Sequence, residues 1–274
     1  MNLVWGALLV LATAAFAIAA MLFVRRTAPA GSYFEDGDRA SGVFGVLATG
    51  FSVLLGFIVF LAFTSYDQSR LGAEQEALVL QQQIETAQFF PSTIGAQLTG
   101  ELICYGRSVV HDEWPRSEAG ELSDDVNPWG VELFRTVVPF QPGSARDQSA
   151  YDKWLDQTSE REAARVDRMH GAVGVIPTPL WAVLVLLAAV IFVYMLFFAD
   201  SNERATTQAL LMGSVTTVIV SLLLLINFLD SPFTDGVGGV KPVAMERALG
   251  VIDDALAKTG REVALPCNAL GHPQ

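Results

Sequence analysis

Apolar residues fall into four long uninterrupted runs along the chain. The runs contain no Asp, Glu, Lys or Arg, and they occupy residues 3–24, 43–64, 180–199 and 207–229. At 1.5 Å per helical residue, each run matches the roughly 30 Å hydrocarbon core of a bilayer. The interior of a soluble domain this size is too small to hold four such helices. The pattern therefore predicts four transmembrane helices, arranged as two hairpins.

The polar residues after the second run favour a helix that continues that span out of the membrane. Residues 66–88 are good helix formers, and nothing breaks the chain between them and the run. We expect the next helix to begin at Ser92 and to end at Trp114-Pro115, because a proline disfavours a helical residue before it. Three more helices are predicted, near 129–138, 145–171 and 242–258.

These elements predict an all-α protein in which a helical soluble domain is inserted between the second and third spans. No strand pattern occurs in the sequence. The predicted divisions are a first transmembrane hairpin at 1–65, the soluble domain at 66–177, a second hairpin at 178–230, and a C-terminal tail at 231–274 with one amphipathic helix.

Composition agrees with a membrane protein and limits its partners. The chain is 51% hydrophobic with a mean hydropathy of +0.40, and its net charge is −12. Residues 66–177 hold 9 Lys and Arg against 18 Asp and Glu, so this surface disfavours nucleic acid and tight binding to anionic lipid. The expected partners are the lipid bilayer, further copies of the same chain and an inorganic ion.

Arginines in the short loops predict the orientation in the cell membrane. The loops 25–42 and 200–206 are the short ones, which weigh most in the positive-inside rule. They carry Arg25, Arg26, Arg39 and Arg204. Placing these loops in the cytoplasm puts the middle domain and both termini outside it. Basic residues also lie near the opposite ends of the spans, so the two sides of the membrane differ only modestly in basic residues.

The two cysteines, Cys104 and Cys267, lie on the same side as the middle domain. An extracytoplasmic location would permit a disulfide between them. The alternative, which we favour from sequence, is two unrelated buried thiols, since free cysteine often packs as a small apolar residue.

The sequence lacks the residues that most membrane enzymes and pumps need. No Asp, Glu, Lys, Arg or His lies inside a predicted span, so a proton relay or an intramembrane protease has no candidate group. The chain also has no phosphate-binding glycine loop, serine elbow, CxxC or HExxH motif. His111 is followed directly by acidic residues, but neighbours on one helix point in different directions. We therefore expect no enzyme activity, no cofactor and no metal site.

Small and hydroxyl residues recur at helical spacing in the second and fourth runs. The candidates for helix packing or pore lining are Gly45, Thr49, Ser52, Gly56, Gly213, Thr217 and Ser221. Such faces let helix backbones approach closely. Packing against another span of the same chain is the favoured interpretation. Packing between subunits and the lining of a pore are the alternatives.

Several polar and aromatic residues outside the spans are candidates for structural or gating roles. They are Asp67, Arg70, Glu113, Trp114, Arg161, Arg165, Asp230 and Phe233. Asp230 is expected in a turn, with a pore mouth or an arginine of the middle domain as alternatives. Arg161 and Arg165 begin a basic stripe that Arg168 completes. We expect an ion-paired face docked on the acidic helix 74–85. The alternative is that these arginines form a ring that attracts anions in an oligomer.

In this order and spacing, the motifs resemble the bestrophin-like domain family of bacterial membrane proteins. The resemblance covers roughly residues 40–250. It rests on Gly45 to Gly56, Asp67 with Arg70, Glu76-Ala77, Glu113-Trp114-Pro115, Arg161 with Arg165, Pro179-Leu180-Trp181 and Leu229-Asp230-Ser231-Pro232-Phe233. It implies four spans, a helical domain between the second and third, and an oligomeric ion channel or pore. The alternative is a non-conducting scaffold or accessory subunit that binds a partner through its acidic helical domain.

Overall fold

The protein is built from α-helices. The computed structural model describes residues 3–121, 127–234, 236–260 and 263–274, and no β-strand occurs among them. The helices are α1 (Leu3–Arg25), α2 (Gly37–Ala87), α3 (Ser92–Ser108), α4 (Trp114–Glu118), α5 (Pro128–Val137), α6 (Ala145–Met169), α7 (Thr178–Phe197), α8 (Ala205–Leu229) and α9 (Val243–Thr259). The predicted all-α fold is confirmed.

In the described part of the chain, four helices are long and apolar enough to cross a bilayer: α1, α2, α7 and α8. Of these, α2 has 51 residues, far more than the roughly 20 that a bilayer requires. Its first part is apolar, and its polar remainder continues as the same helix to Ala87. The predicted continuation of the second span as one unbroken helix is confirmed.

The chain forms two compact units. The membrane unit comprises chiefly residues 3–65 and 175–230. Within it, α1 packs along α8 through a cluster that includes Ala17, Met21 and Met212. A second cluster joins Phe51 and Ile58 of α2 to residues of α7 and α8. Shape and close packing hold these helices together, because lipid is as apolar as their side chains.

The extramembrane unit comprises chiefly residues 66–174 and 238–274. Its core is continuous from the polar half of α2 through α3, α5 and α6 to α9. Aromatic rings fill much of it. The Phe90 ring lies edge-on to Trp154 at 5.7 Å and 5.1 Å from the Phe140 ring. The C-terminal residues are thus part of this unit's core and are not a separate tail.

A disulfide fixes the C-terminal segment to α3. Cys104 and Cys267 are bonded, with their Cα atoms 5.8 Å apart, so the sequence-based preference for two unrelated thiols is wrong. Next to the bond, the indole of Trp129 donates a hydrogen bond to the carbonyl of Gly271 (2.6 Å). Gly271 has a φ of +83°, and a Cβ there would lie 2.5 Å from the Ser108 nitrogen, so the contact requires glycine.

The helix after Ser92 continues beyond the proline that we expected to end it. A π-helical segment, Val109–Glu113, follows α3 and leads directly into α4. Pro115 lacks an N–H, and its ring would clash with the carbonyl four residues earlier in a regular α-helix. The wider π turn relieves this clash, and single π turns are frequent at functional sites. The expected break is therefore wrong.

Gly72 allows a close approach between α2 and α6. A Cβ added at Gly72 would overlap the backbone nitrogen of Arg168 and would lie 2.8 Å from the carbonyl oxygen of Ala164. Both atoms belong to the backbone of α6, which cannot move aside as a flexible side chain can. The glycine therefore sets the distance between α2 and α6.

Replacing Gly72 with alanine should destabilise the fold. We expect G72A to lower the free energy of unfolding by about 1–3 kcal/mol, the usual cost of overpacking. The measurement is thermal unfolding of the full chain in detergent. The matched control is G250A, because Gly250 lies within α9 with no atom near its added Cβ. That change should stabilise the chain by up to about 1 kcal/mol. Equal effects at the two positions would contradict the close approach.

Candidate functional site

The small residues of α2 are exposed on the surface of the single chain. Gly45, Thr49, Ser52 and Gly56 are all exposed. No atom lies within 4 Å of a Cβ built at either glycine. The favoured interpretation, packing against another span of the same chain, is therefore wrong for this face. We call these four residues the small face of α2.

The fourth span behaves differently. A Cβ at Gly213 would lie 2.9 Å from the side chain of Ile18, so this glycine packs against α1 as expected. Thr217 and Ser221 are exposed. Intrachain packing therefore explains one of the three candidates on α8.

Asp230 and Phe233 have structural contacts. One carboxylate oxygen of Asp230 accepts hydrogen bonds from the backbone nitrogens of Val175 (2.7 Å) and Ile176 (3.0 Å). These bonds tie the end of α8 to the segment before α7, and no arginine among the described residues pairs with Asp230. Phe233 is buried edge-on against Trp114, with the ring centres 5.5 Å apart.

Asp67 and Arg70 form an exposed pair on α2. The Arg70 guanidinium lies 3.1 Å from Asp67 and 3.7 Å from Glu74. Arg70 is about half exposed, and water screens the charges of such surface pairs. The pair therefore adds little to the stability of the fold.

A buried ion network joins three helical segments of the extramembrane unit. Arg168 of α6 is fully buried between two buried carboxylates, Glu76 of α2 and Glu113 of the π segment. Its Nε donates to Glu76 (2.5 Å), and its Nη2 donates to Glu113 (2.6 Å). The guanidinium also lies over the Trp114 ring, 5.5 Å from its centre. One side chain thus binds α2, α6 and the π segment together.

Further donors complete the hydrogen bonding of both carboxylates. The Tyr105 hydroxyl donates to Glu76 (2.7 Å). The Asn127 amide donates to Glu113 (2.8 Å), and Arg165 Nε lies 3.2 Å from the same carboxylate. Two carboxylates and two guanidiniums make this part of the network neutral. Buried charges are tolerated when they are paired and hydrogen-bonded in this way.

The charges fix the protonation states of the network. Burial raises the pKa of Glu113, but the charges of Arg168 and Arg165 outweigh it, so the pKa lies below its ordinary value. Burial lowers the pKa of Arg168, but the charges of Glu76 and Glu113 outweigh it, so the pKa lies above its ordinary value. Burial, with the charge of Glu76, raises the pKa of Tyr105 well above its ordinary value. Glu113 is thus ionised at neutral pH, and Tyr105 remains a donor.

Arg161 extends the network along α6. It is buried, donates to Gln83 of α2 (2.8 Å) and to Glu162 (3.0 Å), and lies over the Tyr105 ring at 4.7 Å. The expectation that this stripe docks on the acidic part of α2 is confirmed for Arg161 and Arg168. Arg161 and Arg168 of this stripe lie in the core of the unit.

Sequence reasoning missed Glu76, Tyr105 and Arg168 as site residues. Two signals could have identified the network. Arg161, Arg165 and Arg168 recur at a spacing that puts them on one helix face. The helix they face carries Glu76 within its otherwise apolar Ala73–Ala77–Leu80 stripe, where a charge requires a buried partner.

Removing the Glu113 charge should destabilise the chain in a pH-dependent way. Because the folded pKa of Glu113 is depressed, its contribution is full above the ordinary value of 4.5 and is lost as the pH falls through the folded pKa. We expect E113Q to lower the free energy of unfolding by about 3–5 kcal/mol at pH 7. The difference from wild type should narrow below pH 4.5. Thermal unfolding in detergent across pH 3–7 measures both effects.

The control for this variant is E132Q. Glu132 pairs with Arg135 at 2.7 Å, but both side chains are exposed, so its loss should cost less than about 1 kcal/mol. Equal effects of the two variants at pH 7 would contradict the buried network as the source of stability.

Solved structures with the same fold come from bestrophin homologs. The crystal structure of a bacterial bestrophin homolog from Klebsiella pneumoniae superposes with a TM-score of 0.64 at 14% identity, over 95% of this chain and 100% of that chain. A mutant of that homolog gives 0.65 at 13% identity, over 94% and 99%. A crystal structure described as a membrane protein gives 0.66 at 12% identity, over 92% and 99%. At these identities the likeness concerns the fold alone.

Sequence comparison identifies the family. No curated protein sequence matches the chain. The family model of the Bestrophin-like domain matches residues 11–245, which include the three apolar helices from α2 onward, most of α1 and the complete ion network. The match covers most of the chain, so the protein belongs to the bestrophin-like domain family.

Proposed function

We propose that the chain is one subunit of an oligomeric ion-conducting pore in the cell membrane. Family membership supports a channel-like role. The observation that carries the proposal is the small face of α2, whose two glycines have no neighbouring atom among the described residues. In the proposed assembly, the α2 helices of several subunits surround the pathway. The proposed activity is passive and requires no catalytic step.

The chemistry of the small face suits a water-filled path better than contact with lipid. A glycine in a helix costs about 1 kcal/mol relative to alanine, and lipid contact does not compensate that cost. Gly45 and Gly56 instead leave room beside the helix and expose its backbone. The hydroxyls of Thr49 and Ser52 add polar groups to the same surface. The Ser52 hydroxyl donates to the carbonyl of Ala48 (2.8 Å), so its oxygen remains available to accept a hydrogen bond from water.

The charge of the extramembrane unit supports a preference for cations. Residues 66–177 carry 18 acidic and 9 basic residues. An acidic surface at a pore mouth raises the local concentration of cations and lowers that of anions. The conducted species in this proposal is an inorganic cation.

The alternative is a non-conducting scaffold that binds a protein partner through the extramembrane unit. Its support is an apolar stripe along α5 and its C-cap, where Val131, Phe134 and Val138 are exposed at helical spacing. This alternative predicts a partner but no ion flux. The flux experiment below therefore separates the two functions.

The disulfide supports an extracytoplasmic location for the extramembrane unit. Disulfides persist in oxidising compartments and are rare in the cytoplasm. The short loops also agree, because Arg25 donates to the carbonyls of Ser201 (3.0 Å) and Glu203 (2.5 Å), which joins the two arginine-bearing loops. In the proposed orientation these loops face the cytoplasm, and both termini lie outside.

Bulky residues on the small face should block conduction. We expect G45W and G56W to reduce cation flux from liposomes at least tenfold, because an indole fills the space that each glycine leaves open. The control is L186W, since Leu186 is exposed on α7 outside the small face. Size-exclusion chromatography verifies that each variant still assembles. A monomeric wild type, or flux that survives both glycine variants, would contradict the pore.

Cysteine labelling tests the orientation. We expect E160C, exposed on α6, to react in spheroplasts with a membrane-impermeant maleimide. S201C, in the short loop after α7, should react only after permeabilisation. The native cysteines are bonded to each other and do not interfere. The reverse pattern would contradict the extracytoplasmic placement.

A further inference from the structure

The extramembrane unit contains a cleft directly beyond the membrane exit of α2. The cleft has a volume of about 660 Å³ and lies between α2 and the start of α9. Tyr66 and Arg70 line it from α2, and Lys241, Val243 and Arg247 line it from the α9 side. The Tyr66 hydroxyl bonds the carbonyl of Gly238, which fixes the segment that enters α9 against α2. The cleft is therefore a formed feature of this unit.

The length of α2 places the cleft at the depth of the lipid headgroups. The apolar run ends at Thr64, so at 1.5 Å per residue Tyr66 lies roughly 3 Å, and Arg70 roughly 9 Å, farther along the helix. The headgroup layer is about 5–8 Å thick on each side of the hydrocarbon core. Two other grooves beside α2 include Ile84, roughly 30 Å beyond Thr64. The cleft at Tyr66 and Arg70 lies within reach of the headgroups.

The lining of the cleft is basic although the unit as a whole is acidic. Three cationic side chains and one carboxylate, Glu74, line it. Arg70 pairs with Asp67 and Glu74, and Lys241 pairs with Glu118 at 3.1 Å, but these contacts are partly or largely exposed and weak. Arg247 is exposed and makes no ion pair with any residue in the described part of the chain. An anion in the cleft can therefore pair directly with Arg247. To pair with Arg70 or Lys241, it has to compete with their weak ion pairs.

The start of α9 adds uncharged donors to the same cleft. Val243 and Ala244 form the first turn of α9 and line the cleft. The residue before them, Pro242, provides no side-chain cap for the N–H groups of this turn. Such groups bind anions and carry the positive end of the helix dipole. They supplement the three cationic side chains.

We propose that this juxtamembrane cleft binds the phosphate group of an anionic phospholipid headgroup. Arg70, Lys241 and Arg247 supply the charge, and Tyr66 and Val243 contact the less polar glycerol region. The same chemistry would accept free phosphate, but the depth of the cleft favours the lipid. A bound headgroup would link α9 to α2 at the membrane surface. This proposal does not depend on ion conduction.

Thermal unfolding of the full-length protein in nonionic detergent tests the proposal. The added probes are dihexanoyl phosphatidylglycerol, dihexanoyl phosphatidylcholine and inorganic phosphate, each titrated separately. A ligand that binds only the folded state raises the free energy of unfolding by RT ln(1 + [L]/Kd), so Tm rises with the logarithm of its concentration above Kd. We expect concentration-dependent stabilisation by phosphatidylglycerol and none by phosphatidylcholine. Substituting R70Q, K241Q and R247Q together should weaken phosphatidylglycerol binding roughly 100-fold, about fivefold for each basic residue near a membrane surface.

The control changes the net charge by the same amount outside the cleft. It combines R135Q, K153Q and K258Q, which replace exposed residues, and it should bind phosphatidylglycerol like the wild type. If the cleft variant does not fold, R247Q alone gives the test, with an expected loss of about fivefold. Inorganic phosphate could bind as tightly as phosphatidylglycerol and depend equally on the three basic residues. That result would support the anion site and assign it to free phosphate. Equal binding by the cleft and control variants, or equal stabilisation by phosphatidylcholine, overturns the proposal.

Discussion

The extramembrane unit depends on one guanidinium. Arg168 is fully buried and holds Glu76 and Glu113, which lie on two other helical segments. A buried charge without partners would cost several kcal/mol, so the three segments are stable only in an arrangement that brings these groups together. Apolar contacts stabilise many relative positions of two helices. Paired buried charges favour one relative position of the helices, and this requirement positions α2, α6 and the π segment.

Two backbone features make this arrangement possible. Gly72 lets α6 approach α2 closely enough for Arg168 to reach Glu76, one turn farther along α2. The π segment, which precedes Pro115, turns Glu113 into the core, where it meets Arg168, Arg165 and Asn127. A regular helix would place Glu113 at a different angle around the axis. Gly72 and the π segment therefore both contribute to the contacts of Arg168 with its two carboxylates.

The sequence predicts the helices well because lipid imposes a simple rule. An apolar run of about 20 residues has few alternatives to a membrane helix. The contacts of the small face could not be predicted, because a stripe such as Gly45 to Gly56 looks the same whether it meets another helix, lipid or water. Similarly, a basic stripe from Arg161 to Arg168 has the same spacing on a solvated face and in a core. The deciding information is burial, which arises from residues distant in sequence.

The length of α2 relates the proposed functions to each other. A single unbroken helix carries the small face within the membrane, Arg70 of the basic cleft just beyond it, and Glu76 of the ion network one to two turns later. An α-helix transmits rotation and translation along its axis, because each residue is hydrogen-bonded to the next turn. In the proposed pore, a movement transmitted along this helix would therefore reach Glu76 and its bonds to Arg168.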